Sequence, residues 1–232
     1  MENNLANDLW KHFFVTPKKN YNKYMLQLLE YPECIIYDKK IMDENRSKWS
    51  EQFKNNNDIC LEIGSGSGNF IKELAFRNKD KNYICLELRF KRLILSVKKI
   101  KKNESTNVRF LRRRGEEIEN FLGMDEISDI YINFPDPWEE NERNRIIKES
   151  FFVSLDVILK KGGKIFFKSD HDKYYNDILQ LVEKLDNYQV VYHTPDLHNS
   201  PLKDINIKTE FEQLFLCKHN KNINYIEINK VK

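Results

Sequence analysis

Ile59-Cys60-Leu61-Glu62-Ile63-Gly64-Ser65-Gly66-Ser67-Gly68-Asn69-Phe70 is the stretch that decides how this chain folds. Ile59–Ile63 is a short apolar run of strand length. Glycines at 64, 66 and 68 make a turn, and the residues from Asn69 to Arg77 have helical character. A strand that passes through a glycine-rich turn into a helix is the opening unit of a parallel α/β sheet, with a ligand seat at the turn. Glycine lets a backbone approach a ligand closely, and the helix start adds partial positive charge.

Working outward, the same rhythm continues. Strands are expected at Tyr83–Leu88, Val108–Leu111, Ile127–Phe134, Lys164–Lys168, Gln189–His193 and Ile223–Ile228. Helices are expected at Lys91–Lys102, Glu116–Leu122, Arg145–Leu159, Lys173–Leu185 and from Glu210 onward, with Gly162-Gly163 as the stop of the third of these. The expectation is a Rossmann-like class I architecture: a mostly parallel, seven-stranded sheet with helices on both faces, spanning residues 58–232. Residues 1–57 read as an N-terminal extension with short helical pieces, one of them over Asn20–Glu30 and stopped by Pro32.

Composition bounds the function. The chain has 232 residues, 40% hydrophobic and 32% charged, and a mean hydropathy of -0.70. It contains no apolar run long enough to cross a bilayer. Its first residues lack the basic-then-apolar pattern of a signal peptide, so a cytoplasmic protein is expected. Cys34, Cys60, Cys85 and Cys217 are scattered without a C-x-x-C pair, so neither a metal nor a disulfide framework is expected. The net charge is only +3, but the cations are clustered: Lys18, Lys19 and Lys23, then Lys98, Lys99, Lys101 and Lys102, then Arg112-Arg113-Arg114. Taken singly, each cluster reads as a solvated face.

Chemistry enters with the spacing of the glycines. It is G-x-G-x-G, not the G-x-G-x-x-G that seats a dinucleotide pyrophosphate. Glu62, just before the turn, would repel a pyrophosphate but suits the ammonium of a methionine moiety. Glu87, at the end of the second strand and about twenty positions beyond the glycines, is placed to accept hydrogen bonds from ribose hydroxyls. Together these residues point to S-adenosylmethionine. The fourth strand runs into Asn133-Phe134-Pro135-Asp136-Pro137-Trp138, at the sheet edge where ligands sit in open parallel sheets. The prolines restrict the backbone on either side of Asp136, and Trp138 offers a surface for stacking. A rigid turn around a core Trp is the competing reading of that segment.

These residues, with Phe167-Lys168-Ser169-Asp170, Asp196-Leu197-His198-Asn199-Ser200 and Thr209-Glu210-Phe211-Glu212, resemble those of bacterial tRNA (guanine-N7-)-methyltransferases, over about Asp58–Glu227. The resemblance implies a class I methyltransferase acting on N7 of a guanine in the tRNA variable loop. It implies Asp136 as catalytic residue and Glu62, Gly64, Gly66, Gly68, Glu87, Arg114, Glu116 and Asp136 as cofactor contacts. Asp170 and Thr209, Glu210, Phe211 and Glu212 would be substrate contacts. Thr209-x-x-Glu212 is equally a helix capping box, and both roles can coexist. The chain departs from the family at two places. Arg114 stands where the family has an acidic or Asn residue at the adenine. Glu139-Glu140-Asn141-Glu142-Arg143-Asn144-Arg145 replaces a Lys- and Arg-rich loop.

Two other readings of the sequence stay open: a methyltransferase of the same fold acting on another RNA or a small molecule, and a tRNA-binding protein without turnover. If tRNA is the partner, its phosphates must meet cations. Arg143, Arg145 and the Lys18–Lys23 cluster are the expected contacts, with Arg112–Arg114 behind them. Oligomeric state, monomer or homodimer, is not legible in the sequence.

Overall fold

Apolar runs become strands, the central ones buried on both sides, in the computed structural model, which describes residues 2–218 and 221–232. They are β1 (Ile35–Ile36), β2 (Ile59–Ile63), β3 (Asn82–Leu86), β4 (Val108–Leu111), β5 (Ile127–Asn133), β6 (Leu159–Ser169), β7 (Tyr188–Thr194) and β8 (Asn224–Lys230). Their order in the sheet is β1-β4-β3-β2-β5-β6-β8-β7. The pairs from β1 to β6 are parallel, whereas β8 runs antiparallel to both β6 and β7. The α/β class is the expected one, with one strand more. The additional strand is β1, which adds Ile35 and Ile36 alongside Phe110 and Leu111 of β4.

Helices cover both faces. Over one face lie α3 (Lys39–Glu44), α4 (Trp49–Phe53), α7 (Ile118–Phe121), α8 (Glu149–Ile158) and α9 (Asp172–Val182), whose Met42, Trp49, Phe121, Phe152 and Ile178 enter the larger core. Over the other lie α1 (Glu2–Phe13), α2 (Lys23–Leu26), α5 (Asn69–Arg77) and α6 (Phe90–Lys102), with Leu9, Met25, Ile71 and Ile94. A last helix, α10 (Glu210–Lys218), precedes β8. The segment before residue 58 therefore enters both cores. Trp49 is fully buried, and its indole N–H donates to the Phe121 carbonyl at 2.7 Å.

Two expectations need correction. Helix α8 starts at Glu149 and stops at Ile158, so Gly162-Gly163 does not end it. That pair lies inside β6, near an irregularity in its pairing with β5, and Gly162 takes a φ of 79° that a side chain rarely adopts. The helix expected over Asn20–Glu30 is only α2 followed by a 3-10 turn, Gln27–Glu30. Three of the cysteines, Cys34, Cys60 and Cys85, are free and buried, while the side chain of Cys217 lies outside the described part. No described helix is long and apolar enough to cross a membrane.

Candidate functional site

The ends of β2, β3 and β5 lie side by side, so the residues that follow them meet at one edge of the sheet. The turn after β2 is bonded directly to β3, because the Gly64 and Ser65 amides both donate to the Leu86 carbonyl at 2.9 Å. That fixes Gly64 beside Glu87. A cleft of about 690 Å3 opens there, lined by Gly64, Glu87, Arg89, Arg114, Asn133 and Asp136 among others. Its size is that of a small-molecule site.

The three glycines divide their work. Gly64 lies on the cleft wall at a φ of 80°, and a Cβ there would meet nothing within 4 Å. Gly66 and Gly68 are not on that wall. The Ser96 hydroxyl donates to the Gly66 carbonyl at 3.0 Å, and a Cβ on Gly68 would sit 2.7 Å from that of Ser96. Gly68 is there so that α5 can start close against α6.

Glu62 lies a layer beneath the cleft. Its Oε1 is 3.5 Å from the Asn133 side-chain amide, and its buried Oε2 has no partner. Burial pushes its carboxyl up to about 8. A buried carboxyl in that condition either keeps its proton or needs a cation, which an amino-acid ammonium provides. Glu87 is also buried. One oxygen accepts the Arg89 amide at 2.8 Å, and the other lies 3.9 Å from the Arg92 guanidinium. Arg114 and Glu116 are exposed on the cleft wall, flanking the buried Gly115, which packs on Ile63 and Ile146. Glu62, Gly64, Glu87, Arg114, Glu116 and Asn133 together fit S-adenosylmethionine.

Asp136 stands exposed on the same wall. Its segment is held at both ends: the Phe134 amide donates to the Lys168 carbonyl at 2.8 Å, and Arg145 Nε donates to the Pro137 carbonyl at 2.6 Å. Phe134 and Trp138, which bracket Pro-Asp-Pro, both take left-handed backbone angles, 52° and 45° in φ. Such angles in non-glycine residues persist only where the surroundings impose them. The sequence did not disclose Arg145 as the anchor. This residue is buried, paired with Asp177 at 2.7 Å, and stacked on the Tyr174 ring at 4.6 Å. It is therefore not available as the phosphate contact that the sequence led us to expect. The acidic loop also has internal partners. Glu139 meets His171 Nε2 at 3.1 Å, and Glu142 meets Lys173 at 2.6 Å. Two of its carboxylates thus dock it on the start of α9.

The Arg112–Arg114 run splits likewise. Arg112 donates to the Leu88 carbonyl and lies over the Phe13 and Phe90 rings. Arg113 is buried against Asp43 and Glu117. Arg114 alone of the three is exposed in the cleft.

The remaining expected contacts gather at the start of α10. Thr209 and Glu212 form the capping box: the Glu212 amide donates to Thr209 Oγ1 at 3.0 Å, and the Thr209 amide donates to Glu212 Oε2 at 3.2 Å. Glu212 is fully buried and also accepts from Lys168, His198 and Asn206. Burial alone would raise its carboxyl, but the Lys168 cation and these donors hold it below the usual range. Thr209 and Glu212 are therefore the fixings of the helix. Glu210 and Phe211 are its exposed residues: Glu210 accepts from the Ser67 hydroxyl, and Phe211 packs on Phe134 at 4.7 Å between ring centres. The helix start thus bridges the glycine turn and the Asp136 segment. Asp170 is half-buried at the end of β6, outside the cleft wall. The His198–Glu212–Lys168 network was missed in the sequence reading, although His198 and Lys168 both fall in segments quoted there.

Comparison with known proteins agrees with this geometry. A family model described as "Putative methyltransferase" matches residues 56–225. The chain is 64% identical over 226 residues to a bifunctional glycosyltransferase/methyltransferase of Fusobacterium nucleatum, a match covering 97% of this chain and 35% of that protein. The chain thus spans about a third of that relative's length. It is 37% identical over 180 residues to a tRNA (guanine-N(7)-)-methyltransferase of Clostridium botulinum, covering 74% of this chain and 82% of that one. Among solved structures, the 16S rRNA methyltransferase KamB superposes with a TM-score of 0.59 at 11% identity, over 80% of this chain and 93% of that one. At that identity the likeness is one of fold. The chain belongs to the tRNA (guanine-N7-)-methyltransferase family, S-adenosylmethionine-dependent methyltransferases of class I fold.

Proposed function

We propose that this chain transfers a methyl group from S-adenosylmethionine to N7 of a guanine in tRNA. The observation that carries this reading is the buried, partnerless Oε2 of Glu62 beneath a cleft that also holds Glu87 and Asp136. Glu62 would receive the ammonium, Glu87 the ribose hydroxyls, and Arg114 and Glu116 would flank the adenine. When bound, S-adenosylmethionine supplies an electrophilic methyl group on a sulfonium.

Guanine N7 carries a lone pair and no proton, so its attack requires no general base. Alignment is then the main contribution of the protein. The anchoring of Pro137 by Arg145 and of Phe134 by Lys168 supports that role, because it fixes the Asp136 carboxylate without engaging it. A carboxylate there stabilises the positive charge that develops on the purine. It can also accept from guanine N1–H and the exocyclic amine, which adenine cannot match. The internal pairing of Glu139 and Glu142 removes the main reason for reading the acidic loop as a sign of lost turnover.

The test is methyl transfer from labelled S-adenosylmethionine to unmodified tRNA, followed by nucleoside identification. Label in 7-methylguanosine is the expected result. Label in another nucleoside or a small molecule would overturn the substrate and leave methyl transfer standing; no transfer to any acceptor would overturn both.

A further inference from the structure

Helix α6 carries Lys91, Arg92, Lys98, Lys99, Lys101 and Lys102 and no acidic residue. Its apolar face, with Phe90, Leu93, Ile94, Val97 and Ile100, is spent on the core. Two of the lysines are engaged: Lys101 pairs with Glu33 at 2.6 Å, and Lys99 donates to Ser67 and Asn69. Lys91, Lys98 and Lys102 remain exposed on one stripe, and none forms an ion pair among the described residues. Lys98 meets only the neutral Gln27 side chain. At ~1.5 Å of rise per residue, these three are spaced by ~10 and ~6 Å along the axis, which makes one row of cations along the exposed face.

The electrostatics of the helix itself disfavour part of this arrangement. Like charges three and four residues apart weaken a helix, and cations in its first turn oppose the helix dipole. Lys98 and Lys102 are four apart, and Lys91 and Arg92 sit in the first turn just after Arg89. Arg89 and Arg92 line the cleft, so the cationic face starts at its mouth. A second cluster joins it. The segment with exposed Lys18, Lys19 and Lys23 leads into α2, and α2 packs on α6.

We propose that the exposed face of α6, with Lys91, Lys98 and Lys102 continued by Lys18, Lys19 and Lys23, is the track for the RNA backbone, which enters the cleft past Arg89 and Arg92. The inference rests on the reading of tRNA as substrate. It moves the phosphate contacts from the loop after Trp138 to the opposite face of the sheet.

The experiment is a salt titration of tRNA binding by the full chain and by Lys91→Ala/Lys98→Ala/Lys102→Ala. A second triple variant, Lys48→Ala/Lys161→Ala/Lys184→Ala, removes three exposed lysines away from α6. Alanine favours a surface helix, and a melting curve of each variant checks the fold. Each phosphate contact adds roughly 0.7–0.9 to the slope of log affinity against log salt, so the α6 variant should lose about 2 of that slope while the control keeps it. The loss should be similar for every tRNA, and S-adenosylmethionine affinity should not move. An unchanged slope in the α6 variant, or an equal loss in the control, overturns the track and leaves tRNA as substrate. A parent protein with no salt-dependent tRNA binding overturns the substrate reading itself. Loss of binding to anionic phospholipid vesicles with intact tRNA binding would reassign the face to a membrane surface.

Discussion

Glu62 keeps its proton at neutral pH in the free protein because burial raises its carboxyl from 4.5 to about 8. A cation placed beside it must displace that proton. Calorimetry of S-adenosylmethionine binding at pH 7, in buffers of different ionisation enthalpy, should therefore show release approaching one proton for wild type and none for Glu62→Gln. Stability follows the same shift. The raised carboxyl favours the fold fully below about pH 4.5, and that contribution is lost as pH rises through about 8. Glu62→Gln should melt several degrees above wild type at pH 8.5, with the gap closing by pH 4. Glu87→Ala should weaken S-adenosylmethionine by about 1.5–3 kcal/mol, the loss of hydrogen bonds to a charged group, with no NADH binding in either form. Asp136→Ala should depress turnover far more than melting temperature, and Asp136→Asn should retain part of the activity if alignment outweighs charge. These three acids were legible because each lies at or just beyond the end of a strand at a known sheet edge. Arg145 was not: nothing in sequence separates it from Arg143 two positions earlier, since only the fold decides which one is buried.

Among the elements, the loop from Trp138 to Lys148 shows why charge pattern alone misleads. Its acidic residues look hostile to RNA, yet Glu139 and Glu142 are matched by His171 and Lys173 of another segment. Arg145→Ala removes a buried guanidinium and leaves the Pro137 carbonyl short of a donor, while Asp177, a third exposed, keeps Lys173. A cost of about 1–3 kcal/mol is expected in denaturant unfolding, with turnover falling as Asp136 loses its support. Arg143→Ala, on an exposed side chain, should leave unfolding within about 0.5 kcal/mol of wild type. The start of helix α5, Asn69–Arg77, was readable because a glycine turn precedes it. The end of α8 was not, because a glycine pair marks a helix stop and a strand irregularity in the same letters.

At the scale of the molecule, residues before 58 belong to the same cores as the rest. Trp49→Ala should cost about 3–5 kcal/mol, read as a shift of the unfolding midpoint, although Trp49 is remote from the cleft in sequence and lies outside its walls. Strand β1 escaped the sequence reading because two isoleucines give no periodicity to detect. The larger topology was legible because strands and helices alternate at short spacing after Asp58. The position of β8 was not, since its sequence does not say which neighbours it will take. Lying between β6 and β7, it gives the sheet an order of assembly. During synthesis β7 emerges with no strand to pair with, and β6 keeps an open, apolar edge until residues 224–230 leave the ribosome. For that interval the nascent chain carries the kind of unpaired edge that recruits chaperones or neighbouring chains, and a ribosome stalled before residue 224 would hold it there.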